Sequence, residues 1–173
     1  MADIWFISDT HFCHSNILNF MDNGGRQIRG QRWQAVEDMD DYMVQQWNSV
    51  VKPQDKVYHL GDFACGVKSQ GYLTGLMHRL HGHKRLILGN HDRITMDAYK
   101  GFDTIELWTG GKFKYANFVA SHIPLRHDQM RDGAFNVHGH IHQNVIDDPR
   151  YINVCVEQIN YTPVHLDWIK AQM

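Results

Sequence analysis

Apolar residues along this chain fall into short runs, and nearly every run ends on a polar cluster. Ile4 to Ser8 reads Ile-Trp-Phe-Ile-Ser, a continuous apolar run of the kind that forms a strand buried on both faces. Val57-Tyr58-His59-Leu60 and Leu86-Ile87-Leu88 repeat that pattern. Between the first two lies Trp33 to Val51, with apolar Trp33, Val36, Met39, Met43, Trp47 and Val50 at mostly three- and four-residue spacing. That spacing predicts an amphipathic helix whose other side, Glu37, Asp38, Asp40 and Asp41, faces water, and which Lys52-Pro53 stops. A second helix is predicted over Gly71 to Leu80, and a short apolar turn or helix runs through Ile17, Leu18 and Phe20 to the break at Asn23-Gly24-Gly25. Strand, helix, strand is the rhythm of a parallel sheet.

The second half changes character. Thr104 to Trp108, Lys112 to Tyr115, Phe118 to Ala120, Ala134 to Val137 and Tyr151 to Val156 are short strand-like runs, and Gly110-Gly111 suits a tight hairpin turn. Leu166 to Met173 is expected to be helical. With no internal repeat, low-complexity tract or linker, residues 1–173 read as one domain.

Composition narrows the class. A hydrophobic fraction of 43% supports a packed core, and a net charge of −2 excludes a broad basic face that would grip long nucleic acid by counterion release. Cys13, Cys65 and Cys155 form no CxxC pair, which suits reduced thiols in a cytosol. The chain enters its first strand with no charged leader and holds no apolar stretch of membrane-spanning length, so a cytoplasmic protein without membrane attachment is expected.

The chemistry lies in the polar clusters. They are Asp9-Thr10-His11, Gly61-Asp62, Gly89-Asn90-His91-Asp92, Ser121-His122 and Gly139-His140-Ile141-His142, each at the end of an apolar run. In α/β sheets ligands bind outside the carboxyl ends of strands, so these side chains are expected to gather on one edge. Imidazole and carboxylate without thiolate suit borderline divalent ions, and two such ions can clamp a phosphoryl group.

The ordered series DxH, GD, GNHD, SH and GHxH, spanning Asp9 to His142, resembles the calcineurin-like metallophosphoesterases. The opening SDTHFCHSNI and the helix running into VYHLGDF resemble the small single-domain bacterial and phage branch. The resemblance implies an α/β fold, a calcineurin-like metallophosphoesterase sandwich of two mixed β-sheets flanked by helices. It also implies two divalent ions, Mn²⁺ first, with Fe²⁺, Zn²⁺, Co²⁺ or Ni²⁺ as alternatives. Asp9, His11 and His142 would hold one ion, and Asn90, His122 and His140 the other. Asp62 would bridge both through its two oxygens. His91 would contact the phosphate and protonate the leaving oxygen, with Asp92 behind it orienting His91 or the loop. The implied reaction is hydrolysis of a phosphodiester by a metal-bridging hydroxide.

Around that frame the substrate contacts are expected from His14 and Asn16, one short turn beyond His11, and from Arg29 among the basic residues Arg26, Arg29 and Arg32, whose guanidinium fork suits phosphate. Arg126 is a second basic candidate. His59 is expected in the core or bracing the cluster, His81 and His83 in a turn, and His138 facing away from His140. Phosphomonoesters and nucleic-acid ends are alternative substrates, the partner being a phosphate ester such as a nucleotide or short nucleic acid. A homodimer stays open, and a scaffold that has lost catalysis is the alternative from another class.

Overall fold

A computed structural model describes residues 2–66, 69–110 and 117–173. Its described strands form two mixed sheets. The first holds β1 (Ile4–Ile7), β2 (Lys56–His59), β3 (His83–Ile87), β4 (Thr104–Glu106) and β9 (Val164–His165) in the order β4-β3-β2-β1-β9. The second holds β5 (Trp108–Gly110), β6 (Phe118–Ser121), β7 (Phe135–His138) and β8 (Tyr151–Asn153) in chain order. β1 to β4 are parallel and β9 closes the edge antiparallel to β1, while in the second sheet only β5 is antiparallel. The helices are α1 (Val36–Val50), α2 (Gln70–Arg79) and α3 (Leu166–Ala171). None of the helices among the described residues is long and apolar enough to cross a membrane.

The two-residue period of the strands divides the apolar side chains between two cores. Phe6, Tyr58, Leu60 and Ile87 meet Phe118, Val137, Ile152 and Val154 between the sheets. Their neighbours Ile7, Val57 and Leu86 face the other way, onto Met39, Met43 and Trp47 of α1 and Leu73, Leu76 and Met77 of α2. This two-sided burial is why the first strands read as continuous apolar runs. Trp47, fully buried and donating its indole N–H to the His81 carbonyl, is a keystone of that layer. Its truncation to alanine should cost about 3–5 kcal/mol.

Helix ends follow local chemistry. Ser69 caps α2 by accepting from the Tyr72 N–H, whereas Ala35 gives α1 no side-chain cap and Glu37 and Asp38 in its first turn complement the helix dipole instead. Ile17 and Leu18 lie in a 3₁₀ turn over Ser15–Asn19, which ends at extended Phe20.

The structure departs from the sequence-based expectations in five places. Thr104 to Trp108 is not one strand: β4 joins the first sheet, β5 the second, and exposed Leu107 crosses between them. β3 starts earlier, at His83, because its polar first residues still pair with β2. Tyr151 to Val156 is shorter as a strand, since Cys155 bridges to Ser8 beyond the end of β1. β9, only two residues long, has no periodic signal to announce it. Asp40 does not face water: it is fully buried and accepts the Cys13 N–H at 3.0 Å. The run Lys112 to Tyr115 and the turn beyond Gly110 fall outside the described residues.

Candidate metal centre

The loops after β1, β2, β3, β6 and β7 bring the polar clusters together. Backbone bonds zip the first two loops: His11 donates to the Asp62 carbonyl at 3.0 Å and Phe12 to that of Phe63 at 2.9 Å. Such close approach needs glycine. A Cβ on Gly89 would lie 2.3 Å from the Asp62 amide nitrogen, and one on Gly139 would lie 2.0 Å from Ser8 Oγ. Asp9, His11, Asp62, His140 and His142 all hold positive φ, between 49° and 72°. Left-handed backbone at non-glycine residues is strained, and here it collects at the cluster.

Of the three groups of side chains among the described residues that could hold a cation, one (His11, His14 and Cys65) has no carboxylate. Of the other two, the first is Asp9, His11 and His142 and the second Asp62, His122 and His140, with ligand atoms within 4.8 Å of one another in each. Asp62 stands between them, its Oδ2 lying 3.6 Å from His11 Nε2 and 3.4 Å from His122 Nε2. Its Oδ1 accepts the His91 N–H at 2.8 Å. One oxygen, Oδ2, therefore faces a nitrogen of each group. Asn90 Oδ1 lies 3.0 Å from His122 Nε2 and so joins the second group.

Each donor is aimed by what holds its other end. Asp9 Oδ2 accepts from Ser8 Oγ at 2.5 Å, the His140 N–H at 2.9 Å and Cys155 Sγ at 3.2 Å, leaving Oδ1 toward His11 and His142. His122 Nδ1 lies 2.8 Å from the Leu60 carbonyl, which fixes the donor on Nδ1 and frees Nε2. His142 Nδ1 is likewise held 3.0 Å from Glu157 Oε1. Asp9 Oδ1 and both ring nitrogens of His11 are buried without any hydrogen-bond partner. Buried polar atoms are rarely left unpaired, and Asp9 Oδ1 and His11 Nε2, 3.8 Å apart, fit two ligand atoms of one divalent cation.

The charge states of Asp9, His11 and His140 agree with that fit. Burial alone would raise the Asp9 carboxyl, yet its contact with His11, the fields of His122 and His142 and the Ser8 bond hold it far below the usual range. Burial pushes His11 and His140 down, so both stay neutral at pH 7, the form that ligates metal. Against the penalty of burial, the contact with Asp62 raises His122 and the bond to Glu157 raises His142.

Some expected residues sit elsewhere. Arg29 does not reach toward substrate: it is fully buried and donates to the carbonyls of Asp9 at 2.7 Å and Thr10 at 3.0 Å and to Glu157 at 2.8 Å. Arg26 pairs with Asp22 and Arg32 stacks over Tyr42 at 4.1 Å. Arg126 pairs with Asp128. Asn16 is exposed on the 3₁₀ turn, and among the described residues no side-chain bond ties it to the cluster. Asp92 does not bond the His91 ring. It accepts from the amides of Asp62, Phe63 and Gly89 and from the Tyr99 hydroxyl, all within 2.9 Å, and so pins the loops. His91 is exposed at the rim, its ring 5.5 Å from that of His11 and its Nδ1 3.7 Å from Cys65 Sγ. His14 lies on the same rim, its ring 5.3 Å from His11, and burial with the nearby positive groups lowers it to about 4. His59 is buried against Thr10 Oγ1 at 3.0 Å, and His138 bonds the Gly139 carbonyl.

Glu157 and Asp40 carry no motif, and their roles come only from burial beside the cluster. A glutamate following a buried apolar run, Val154-Cys155-Val156, is the one signal that could have marked the first.

A sequence model of the calcineurin-like phosphoesterases matches residues 2–171. The chain belongs to the calcineurin-like phosphoesterase family, which binds divalent metal ions and hydrolyses phosphoesters. An uncharacterized protein of Methanocaldococcus jannaschii, MJ1445, is 34% identical over 176 residues, covering 98% of this chain and 90% of its own length. The Gene 66 protein of Mycobacterium phage L5 is 31% identical over 175 residues, covering 84% of this chain and 80% of its own. The crystal structure of AQ665 of Aquifex aeolicus, a protein of unknown function, matches over the full length of both chains with a TM-score of 0.78 at 25% identity.

Proposed function

We propose that this chain is a dinuclear phosphodiesterase. The observation that carries the proposal is Asp62 Oδ2, set within 3.6 Å of a nitrogen from each of two candidate ion groups. Asp9, His11 and His142 would hold one ion, Asn90, His122 and His140 the other, and Asp62 both. The donor set of oxygen and imidazole favours Mn²⁺, with Fe²⁺, Zn²⁺, Co²⁺ or Ni²⁺ also suited. When bound, two such ions supply the positive field and activated water that hydrolysis of an anionic ester requires.

The chain's own residues supply positioning and a proton. His91, tied through its backbone to Asp62 and exposed at the rim, can reach a phosphate seated on the ions and donate to the departing oxygen. Asp92 keeps its loop in register with the Asp62 loop. His14, on the same rim beside His11, is a neutral contact for substrate. Residues 1–173 would act as one domain, and three unpaired cysteines suit a reducing, cytoplasmic setting.

The test is hydrolysis of bis-p-nitrophenyl phosphate and p-nitrophenyl phosphate by metal-stripped protein with Mn²⁺ restored. Diester cleavage that returns with metal and is absent in Asp62→Ala supports the reading. Cleavage of the monoester alone would replace it with a phosphatase, and full activity without metal would end it.

A further inference from the structure

Beside the second ion group opens a cleft of about 820 Å³, and the two share walls: Gly89, Asn90 and His122 line the cleft as well as the centre. Its outer rim is apolar to an unusual degree for a surface. Leu107 is 74% exposed, Trp108 61% and Ile123 53%, all three around this one opening. Contiguous exposed apolar surface of this kind marks a ligand or partner site rather than ordinary packing. The strand break that sends β4 and β5 to different sheets is what puts Leu107 and Trp108 there.

The polar groups of the wall are few. Asn117 uses its amide N–H on the Gly133 carbonyl and Gln129 its oxygen on the Arg126 N–H, which among the described residues leaves the Asn117 oxygen as an acceptor and the Gln129 NH₂ as a donor. Arg131 is the single cation among the described lining residues. A large apolar side chain with one donor and one acceptor nearby is how proteins receive the flat face and polar edge of a nucleobase. One arginine and a net charge of −2 do not suit a duplex, whose grip depends on many phosphate contacts.

We propose, resting on the phosphodiesterase reading above, that this cleft takes the base of a nucleotide ester whose phosphate lies on the ions. Trp108 is the stacking surface and so determines substrate class. The cleft begins at the walls of the centre, so a phosphate held there projects its organic group into it.

The test is calorimetric titration of the Mn²⁺-loaded protein with adenosine 5′-monophosphate, ribose 5-phosphate and inorganic phosphate, for wild type, Trp108→Ala and Trp108→Phe. Stacking predicts that the nucleotide binds about tenfold or more tighter than ribose 5-phosphate in wild type. Trp108→Ala should bring the two level, and Trp108→Phe should keep most of the difference. Because Trp108 is exposed, both variants should retain the wild-type melting temperature. Equal binding of nucleotide and sugar phosphate by wild type, or an advantage that survives Trp108→Ala, overturns the inference. So does a dimer that Trp108→Ala dissolves, since that gives the apolar rim to a second copy. Phosphate that binds while the base adds nothing leaves the phosphodiesterase reading standing; phosphate that does not bind removes both.

Discussion

The two candidate ion groups are built from similar residues and held in different ways. In the first, Asp9 and His11 are buried and His142 is clamped by Glu157, itself ion-paired with a fully buried Arg29 whose other donors grip the Asp9 and Thr10 carbonyls. In the second, Asn90 is exposed, His140 is half-buried, and only His122 is braced by a backbone carbonyl. The second group alone opens on the apolar cleft. Rigid support on one side and access on the other would divide the labour under the proposed reading: the fold would fix one ion, while the second would face the incoming ester.

The sharpest way to break that division is Asp62→Ala. It removes the one oxygen facing both groups, so hydrolysis should fall to background and bound Mn²⁺, read by elemental analysis, should drop at both sites. Retention of one full ion would show that its group stands alone. His91→Ala should lower kcat by about 10²–10⁴-fold with both ions kept, as expected of a proton donor that holds no metal. Loss of an ion in that variant would move His91 into the metal-binding set.

Arg29→Met tests the buried clamp. Glu157 would stay buried without its cation, and breaking such a pair costs about 3–5 kcal/mol, visible in denaturant unfolding. Glu157→Gln acts more locally. Removing the carboxylate behind a ligating histidine should weaken Mn²⁺ at the first group by about 10–100-fold and leave the second near its wild-type affinity. Equal weakening at both would erase the proposed asymmetry.

The last test concerns Asp40, which braces the first group's loop through the Cys13 N–H and also meets the Tyr72 side chain. Burial, reinforced by Glu37 and Asp41, moves its carboxyl from 3.8 up to about 7. Between those values the folded chain keeps a proton that the unfolded chain has released, so stability falls as pH rises across the window and levels above it. Asp40→Asn should flatten that slope, worth roughly 1–4 kcal/mol, in urea midpoints measured at pH 5 and pH 8.

Much of the centre was legible in the chain because each ligand-type residue follows directly on an apolar run, and strand ends are where parallel sheets gather their side chains. The supports were not. Arg29 and Glu157 meet across 128 positions, and a basic residue in an irregular loop looks the same whether it is solvated or sealed inside. Asp40 sits in an acidic stretch of a regular amphipathic helix, where only the approach of the Cys13 amide and the Tyr72 side chain reveals that its face is covered. The division of Thr104 to Trp108 was hidden for a related reason. Period-two alternation reports which side of a sheet a residue takes, and is silent on which sheet.

Each ion group draws on both sheets. Asp9 and His11 follow β1 and Asp62 and Asn90 follow β2 and β3 in the first sheet, while His122, His140 and His142 follow β6 and β7 in the second. Bound ions would therefore rivet the two layers together across their shared edge. Only the docked sandwich could bind them, so metal supply would set the lifetime of the folded chain as well as its turnover. A cell short of the ion would lose such a protein to unfolding and proteolysis, beyond simply holding it idle.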